Sequence, residues 1–146
     1  MKKSILISAI VLLPLFGFAQ IQGVYEIRFT SGTTQHRAAL IIFSDGTGKI
    51  RVRYFSEGRT KMVEQYVRTE NTRYGLRLAC YNPVYPGTST RFPNYITDNF
   101  YLSQDEYGNV SVVNVDDSGG TSRAWVRVFQ STYDRNQFLS DFNWRM

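Results

Sequence analysis

The sequence has few of the side chains that build redox and metal sites. Its one cysteine, Cys80, excludes a disulfide within the chain, and its one histidine, His36, excludes a site that needs two imidazole ligands. Most zinc sites are thereby excluded as well. Charged residues are sparse, at 20% against 42% apolar residues, which is typical of a folded protein. The length of 146 residues suffices for one domain and is too short for two.

Apolar runs long enough to span a membrane are lacking too. The apolar run at residues 5–15 is about eleven residues long, whereas a spanning helix needs about twenty. It follows two lysines and precedes small residues, which is the pattern of a secretory signal peptide. We therefore predict a signal peptide over residues 1–19 and a single β domain over residues 20–146. The short, lysine-led form is typical of bacterial export, so we expect a periplasmic or secreted protein.

A large excess of charge of one sign is also missing. Removal of residues 1–19 takes two lysines away and lowers the formal net charge from +5 to +3. A charge of this size does not support binding to nucleic acid. The remaining basic residues are mostly arginine, which pairs with carboxylates and packs on aromatic rings. Because aromatic residues make up 15% of the chain, we expect arginines stacked on tyrosine and phenylalanine. From the small net charge we expect no nucleic-acid partner.

What the mature sequence does contain is alternation of apolar and polar residues with a period of two. The clearest example is residues 49–55, where apolar side chains alternate with lysine and arginine. Eight segments are predicted to be strands on this basis: residues 24–30, 38–43, 49–55, 62–68, 73–81, 99–103, 109–115 and 123–129. The turns between them are short and rich in glycine, asparagine and aspartate. Such turns predict antiparallel pairing of successive strands, which is a meander.

Eight meandering strands in a chain of this length favour an all-β closed barrel, because a closed barrel has no exposed edge strands. A two-sheet sandwich is the alternative fold.

The end of the chain changes to a helical pattern. Residues 132–142 are predicted to form a short helix that Ser131 caps at the N-terminus. Its apolar stripe, Phe138, Leu139 and Phe142, is expected to pack on the β domain, because a free helix this short is marginal in water.

One irregular segment, residues 82–97, contains three of the four prolines. Loops of this length are uncommon in compact domains and are often functional. We expect it to be ordered over a barrel mouth or a sheet edge, either as a lid over a ligand or as a packed loop without one. As a lid, it would offer Tyr85, Phe92 and Tyr95 as aromatic walls and Arg91 to orient an anionic or sugar group.

Residues suited to catalysis are few. A nucleophile would have to recruit His36, which we expect to lie exposed at a strand end, and Cys80 falls on a face predicted to be buried. Asp116 and Asp117 form the densest acidic pair, but adjacent carboxylates on a turn lack the spacing of calcium loops and of paired catalytic acids. We therefore favour a binding protein over an enzyme, and expect no cofactor and no metal site.

Two fragments resemble the lipocalin family. Gly23-Val24-Tyr25 opens the first strand where that family has Gly-x-Trp, and Arg123 and Arg127 lie on the last strand, where the family places an arginine over that ring. The helix after the last strand is also similar to the family's layout. The resemblance implies a lipocalin-like barrel with an apolar small-molecule ligand. We predict an exported β-barrel that binds an apolar or amphipathic small molecule. The alternative is a non-enzymatic, envelope-associated module with a β-sandwich fold that recognises a protein or a glycan.

Overall fold

A computed structural model describes residues 21–145, which form a closed barrel of antiparallel strands followed by one helix. The elements are β1 Gly23–Ser31, β2 Thr34–Ile42, β3 Thr47–Ser56, β4 Arg59–Thr72, β5 Gly75–Val84, β6 Asn99–Gln104, β7 Val110–Val115, β8 Thr121–Val128 and α1 Thr132–Ser140. Each strand pairs with the next, and β8 pairs with β1 to close the barrel. The predicted eight-stranded barrel is confirmed, and the sandwich is excluded. The predicted signal peptide lies outside the described residues.

The barrel interior is filled by side chains, because successive residues on a strand point to opposite faces. On β3, Ile50 and Val52 are fully buried in the interior, while Arg51 and Arg53 lie on the outer face beside the helix. Buried aliphatic and aromatic side chains from all eight strands form this one core. An eight-stranded barrel is just wide enough to be filled in this way.

Helix α1 packs on the outer face of the barrel rather than over one end. It begins where predicted, with the Ser131 hydroxyl accepting a hydrogen bond of 3.1 Å from the Asp134 N–H. Its apolar stripe is buried against residues of β1 and β2. The buried cluster contains Val24, Ala39, Ile41, Phe138, Leu139 and Phe142. The outer face of this part of the barrel is therefore a second core that only the helix completes.

The expectation that His36 lies exposed at a strand end is wrong. β2 begins at Thr34, earlier than predicted, and His36 shares the inward-facing side of this strand with Ala38. The imidazole is buried, with its centroid 4.8 Å from the Phe29 ring and 5.2 Å from the Tyr54 ring, and both pairs are stacked. His36 is thus part of the aromatic interior.

Successive hairpins of a meander lie at alternate ends of the barrel. The β1–β2, β3–β4 and β7–β8 turns, with the long segment between β5 and β6, therefore gather at one end, which we call the mouth. The two acidic turns, at Asp105 and Asp116, lie at opposite ends for the same reason. Within residues 21–145, the only helix is too short to cross a membrane.

Candidate functional site

The segment between β5 and β6, residues 85–98, is ordered by backbone hydrogen bonds. Val84 and Arg91 form an isolated antiparallel bridge. Next to it, the Phe92 N–H donates to the Pro83 carbonyl over 2.9 Å. The first part of the segment is therefore an irregular hairpin that extends β5 beyond the barrel wall, and the second part returns to the mouth.

Aromatic rings cross the mouth in a continuous series of contacts. The Tyr85 and Phe92 centroids are 4.9 Å apart, and those of Phe92 and Tyr95 are 6.2 Å apart. Tyr95 lies 5.5 Å from Tyr54 of β3, which stacks in turn on His36. The rings join the loop to the barrel interior, and they close the mouth with apolar surface.

A cleft of about 630 Å³ separates this loop from the β3–β4 hairpin, and we call it the mouth cleft. Three of the four residues predicted to bind a ligand, Tyr85, Phe92 and Tyr95, line one wall of it. Arg91 is exposed and is not among the lining residues. Binding at these four residues stays a prediction, and the geometry brings three of them together.

The opposite wall of the mouth cleft is charged. Glu57, Arg59 and Lys61 line it from the β3–β4 hairpin. Lys61 pairs with Glu57, and the Lys61 ammonium group holds the pKa of that carboxyl below its ordinary value. Arg59 forms no ion pair with any residue in the described range. The mouth cleft thus has an aromatic wall and a wall with an excess of positive charge.

Beneath the mouth cleft, Asp98 turns its carboxyl group into the barrel. Asp98 Oδ2 accepts hydrogen bonds from Gln65 Nε2, at 2.7 Å, and from the Tyr95 hydroxyl, at 2.8 Å. The Asp98 N–H donates to Gln65 Oε1 over 3.0 Å. Within residues 21–145 no cation forms an ion pair with this carboxyl group. Burial raises the pKa of Asp98 to about 6, although the bonds from Gln65 and Tyr95 oppose the shift.

Burial holds three other titratable groups in their neutral forms. Burial raises the pKa of the Cys80 thiol well above its ordinary value, and it also raises the pKa of the Tyr95 hydroxyl. The Asp98 charge adds to both shifts. Burial lowers the pKa of His36, against a smaller opposing effect of its bond to the Thr34 carbonyl. Cys80 is buried as predicted, and its thiol is a poor nucleophile there.

A second depression, of about 940 Å³, runs over the outer face of β8, β1, β2 and β3 near the mouth, and we call it the outer groove. Trp125, Arg28, Arg37 and Arg53 are direct neighbours across these strands and line it. The Arg28 guanidinium lies 4.6 Å from the centroid of the Trp125 ring. The strands therefore bring together an arginine row whose members are far apart in the sequence.

Sequence reasoning missed Asp98 and the outer groove. Asp98 ends a loop, where aspartate is common, and only the fold shows that its carboxyl group points inward.

Compared with known proteins, the chain matches no family model, no curated protein and no solved structure. The resemblance to lipocalins stays a prediction. The resemblance implies an arginine of the last strand over the Tyr25 ring. In the part of the chain described, the Arg127 guanidinium lies over Phe129, and the Tyr25 hydroxyl donates to the Ile21 carbonyl over 2.7 Å.

Proposed function

We propose that this chain is an exported β-barrel protein that binds an amphipathic small molecule in the mouth cleft. The observation that carries the proposal is the asymmetry of the cleft, with three aromatic rings on one wall and charged side chains on the other. An apolar body would pack on Tyr85 and Phe92, and a polar or anionic head would meet Arg59. Export is supported by the sequence of residues 1–19. We assign no catalytic residue.

The location at the mouth follows from the packing of the interior. Leu40, Ile50, Leu78 and Phe100 are fully buried in the centre of the barrel, where a ligand would have to displace them. Interiors are packed at the density of organic crystals, so such displacement is costly. The mouth cleft offers about 630 Å³, within the range of about 300–1,000 Å³ that small-molecule sites occupy.

The proposal is tested by titrating the mature protein with an anionic naphthalene fluorophore, an amphipathic probe whose emission rises in apolar surroundings. Phe92→Ala is expected to raise the dissociation constant about ten-fold, because an aromatic contact of ~1.5 kcal/mol is removed. Tyr107→Ala is the matched control, since this ring is exposed on the β6–β7 turn at the other end of the barrel. Thermal unfolding of each variant checks that the barrel is intact.

Two results would overturn the proposal. One is an unchanged affinity in a folded Phe92→Ala protein. The other is an equal loss in Tyr107→Ala, which would show that the probe adheres to exposed rings in general. Arg59→Gln, compared with Arg73→Gln on the β4–β5 turn, tests separately whether the charged wall binds the sulfonate group.

A further inference from the structure

The charged side chains that line the outer groove are all basic. Arg28, Arg37, Arg53 and Arg123 line it, and none of the described side chains that line it is an aspartate or a glutamate. The whole sequence has 12 acidic residues, so this segregation is a local property of the surface. A concave surface lined by one sign of charge concentrates ligands of the opposite sign.

A buried carboxylate fixes two of these arginines from below. Glu26 is fully buried, and its Oε1 accepts hydrogen bonds from Arg37 Nε, at 2.7 Å, and from Arg28 Nε, at 3.0 Å. Arg28 Nη2 also lies 2.9 Å from Glu26 Oε1, and Arg37 Nη1 lies 3.6 Å from Asp141 Oδ2. Because a guanidinium group has five N–H donors, Arg28 Nη1 and Arg37 Nη2 remain for a ligand. Glu26 thus orders the guanidinium groups before binding, which lowers the entropy cost of binding an anion.

The remaining lining residues add an open cation and exposed rings. Arg123 is exposed and has no hydrogen-bond or ion-pair partner within residues 21–145. Trp125 is 48% exposed and Phe55 is 63% exposed, although burial of such rings is normally favourable. Thr30 and Gln35 contribute a hydroxyl and an amide at the groove. The groove therefore combines donors for anionic groups, an aromatic face and neutral polar partners for hydroxyl groups.

We propose that the outer groove binds an acidic saccharide, a chain of sugar rings that carries carboxylate or sulfate groups. Guanidinium groups match both anions in a two-point geometry. A sugar ring presents an apolar face of C–H groups to Trp125 and hydroxyl groups to Thr30 and Gln35. The formal net charge is +5 for the full sequence and +3 without residues 1–19. A charge this small does not favour the long polyanion of a nucleic acid as the occupant. This site is separate from the small-molecule binding proposed for the mouth cleft and does not depend on it.

The test measures binding of two probes, a sulfated heparin hexasaccharide and a carboxylated galacturonate hexasaccharide, by calorimetry at physiological salt. At least one of them is expected to bind. Arg28→Gln/Arg123→Gln should weaken that binding at least about ten-fold, because charge-assisted bonds are lost. The matched control is Arg68→Gln/Arg77→Gln, which removes the same charge from outside the groove. Trp125→Ala should weaken binding without changing the net charge.

Three outcomes of these binding measurements would overturn the proposal. Failure of both hexasaccharides to bind excludes the ligand class. An equal loss in the Arg68→Gln/Arg77→Gln protein shows attraction to net charge alone. A single-stranded oligonucleotide of equal charge that binds as tightly overturns the assignment to a saccharide. If loss of the Arg28 bond to Glu26 unfolds the double variant, Arg123→Gln alone gives the test, because Arg123 has no partner among residues 21–145.

Discussion

Arg51 and Glu64 face each other across β3 and β4 on the outer face of the barrel, with Arg51 Nε 2.6 Å from Glu64 Oε2. Both are buried. Arg51 Nη1 also donates to the carbonyls of Phe142, at 2.9 Å, and Asn143, at 2.8 Å, just after helix α1. The last turn of α1 has no basic residue of its own, so β3 supplies the positive charge that a helix C-terminus favours.

Arg51→Ala is therefore expected to lower the free energy of unfolding by about 3–5 kcal/mol, because it leaves Glu64 buried without its main partner. The nearest other cation, Lys49, is 3.7 Å from Glu64 Oε1. Urea denaturation measures the loss. Arg68→Ala, an exposed arginine on β4, is the control and should change stability by less than about 0.5 kcal/mol. A loss below about 1 kcal/mol in Arg51→Ala would contradict the role assigned to this pair.

Phe138→Ala is expected to be the most damaging single substitution in the C-terminal segment, at about 3–5 kcal/mol. The Phe138 ring is buried, with its centroid 4.7 Å from that of Phe129 and 5.2 Å from that of Phe142. Chemical denaturation measures the effect against Tyr133→Ala, in which the lost ring is 76% exposed on the same helix.

Truncation after Ser131 tests the whole helix. It is expected to give an unstable, aggregating barrel, because the apolar outer face of β1 and β2 loses its cover. Size-exclusion chromatography and thermal melting measure this outcome. A truncated protein that stays monomeric and melts within about two degrees of the mature chain would show that α1 adds little to stability.

Asp98→Asn is expected to stabilise the protein above about pH 6 and to have little effect near pH 4. Burial raises the pKa of Asp98 from 3.8 to about 6. This group therefore contributes stability below pH 3.8 that is lost as the pH rises through about 6. Asparagine removes the charge and keeps one oxygen for Gln65 and Tyr95, which both donate to Oδ2. The gain at high pH should not exceed about 3 kcal/mol.

Unfolding free energies at pH 4 and pH 8 measure this difference. Asp105→Asn is the control, because the pKa of Asp105 is lowered by its bonds to Asn109 on an exposed turn. Its substitution should stabilise the protein at neither pH. If the Asp98→Asn protein has a lower free energy of unfolding than the unsubstituted chain at pH 8, the ionised carboxylate stabilises the fold and the prediction is wrong.

Cys80 is expected to react with an aromatic disulfide reagent only when the barrel opens. Burial raises the pKa of its thiol, so little thiolate is present and the reagent cannot reach it. Labelling at pH 8 should be at least about a hundred-fold slower in the native protein than in urea. Ser118→Cys in a Cys80→Ala background places the thiol on an exposed turn and should react at once. Equal rates would contradict the burial of Cys80.

The strands and the helix were predictable because their signals are local. Residues 49–55 alternate in hydrophobicity, and the observed strand, Thr47–Ser56, contains them. β4 is longer than predicted, Arg59–Thr72 against residues 62–68, because backbone pairing continues through polar residues that the apolar pattern leaves out. The inward direction of the His36 side chain could also have been predicted, because residues two apart on a strand share a face and Ala38 faces inward.

The rest of the site depends on contacts between distant residues. Asp98 is half-buried with its carboxyl group turned inward, because a long loop returns it to Gln65 of β4. No pattern around residue 98 shows this. The outer groove arises because the strand register aligns Arg28, Arg37 and Arg53 on three strands. Glu26 lies on the outward face of its strand, as the alternation predicts, and is nevertheless fully buried beneath arginines.

Native mass spectrometry of the mature protein, purified from its host without denaturation, tests the proposed function most directly. We predict a second species heavier than the bare chain by the mass of one small molecule. The added mass should be missing from a folded Tyr85→Ala/Phe92→Ala protein and present in Tyr107→Ala. A single species at the mass of the bare chain, or an added mass that persists in the Tyr85→Ala/Phe92→Ala protein, would contradict binding in the mouth cleft.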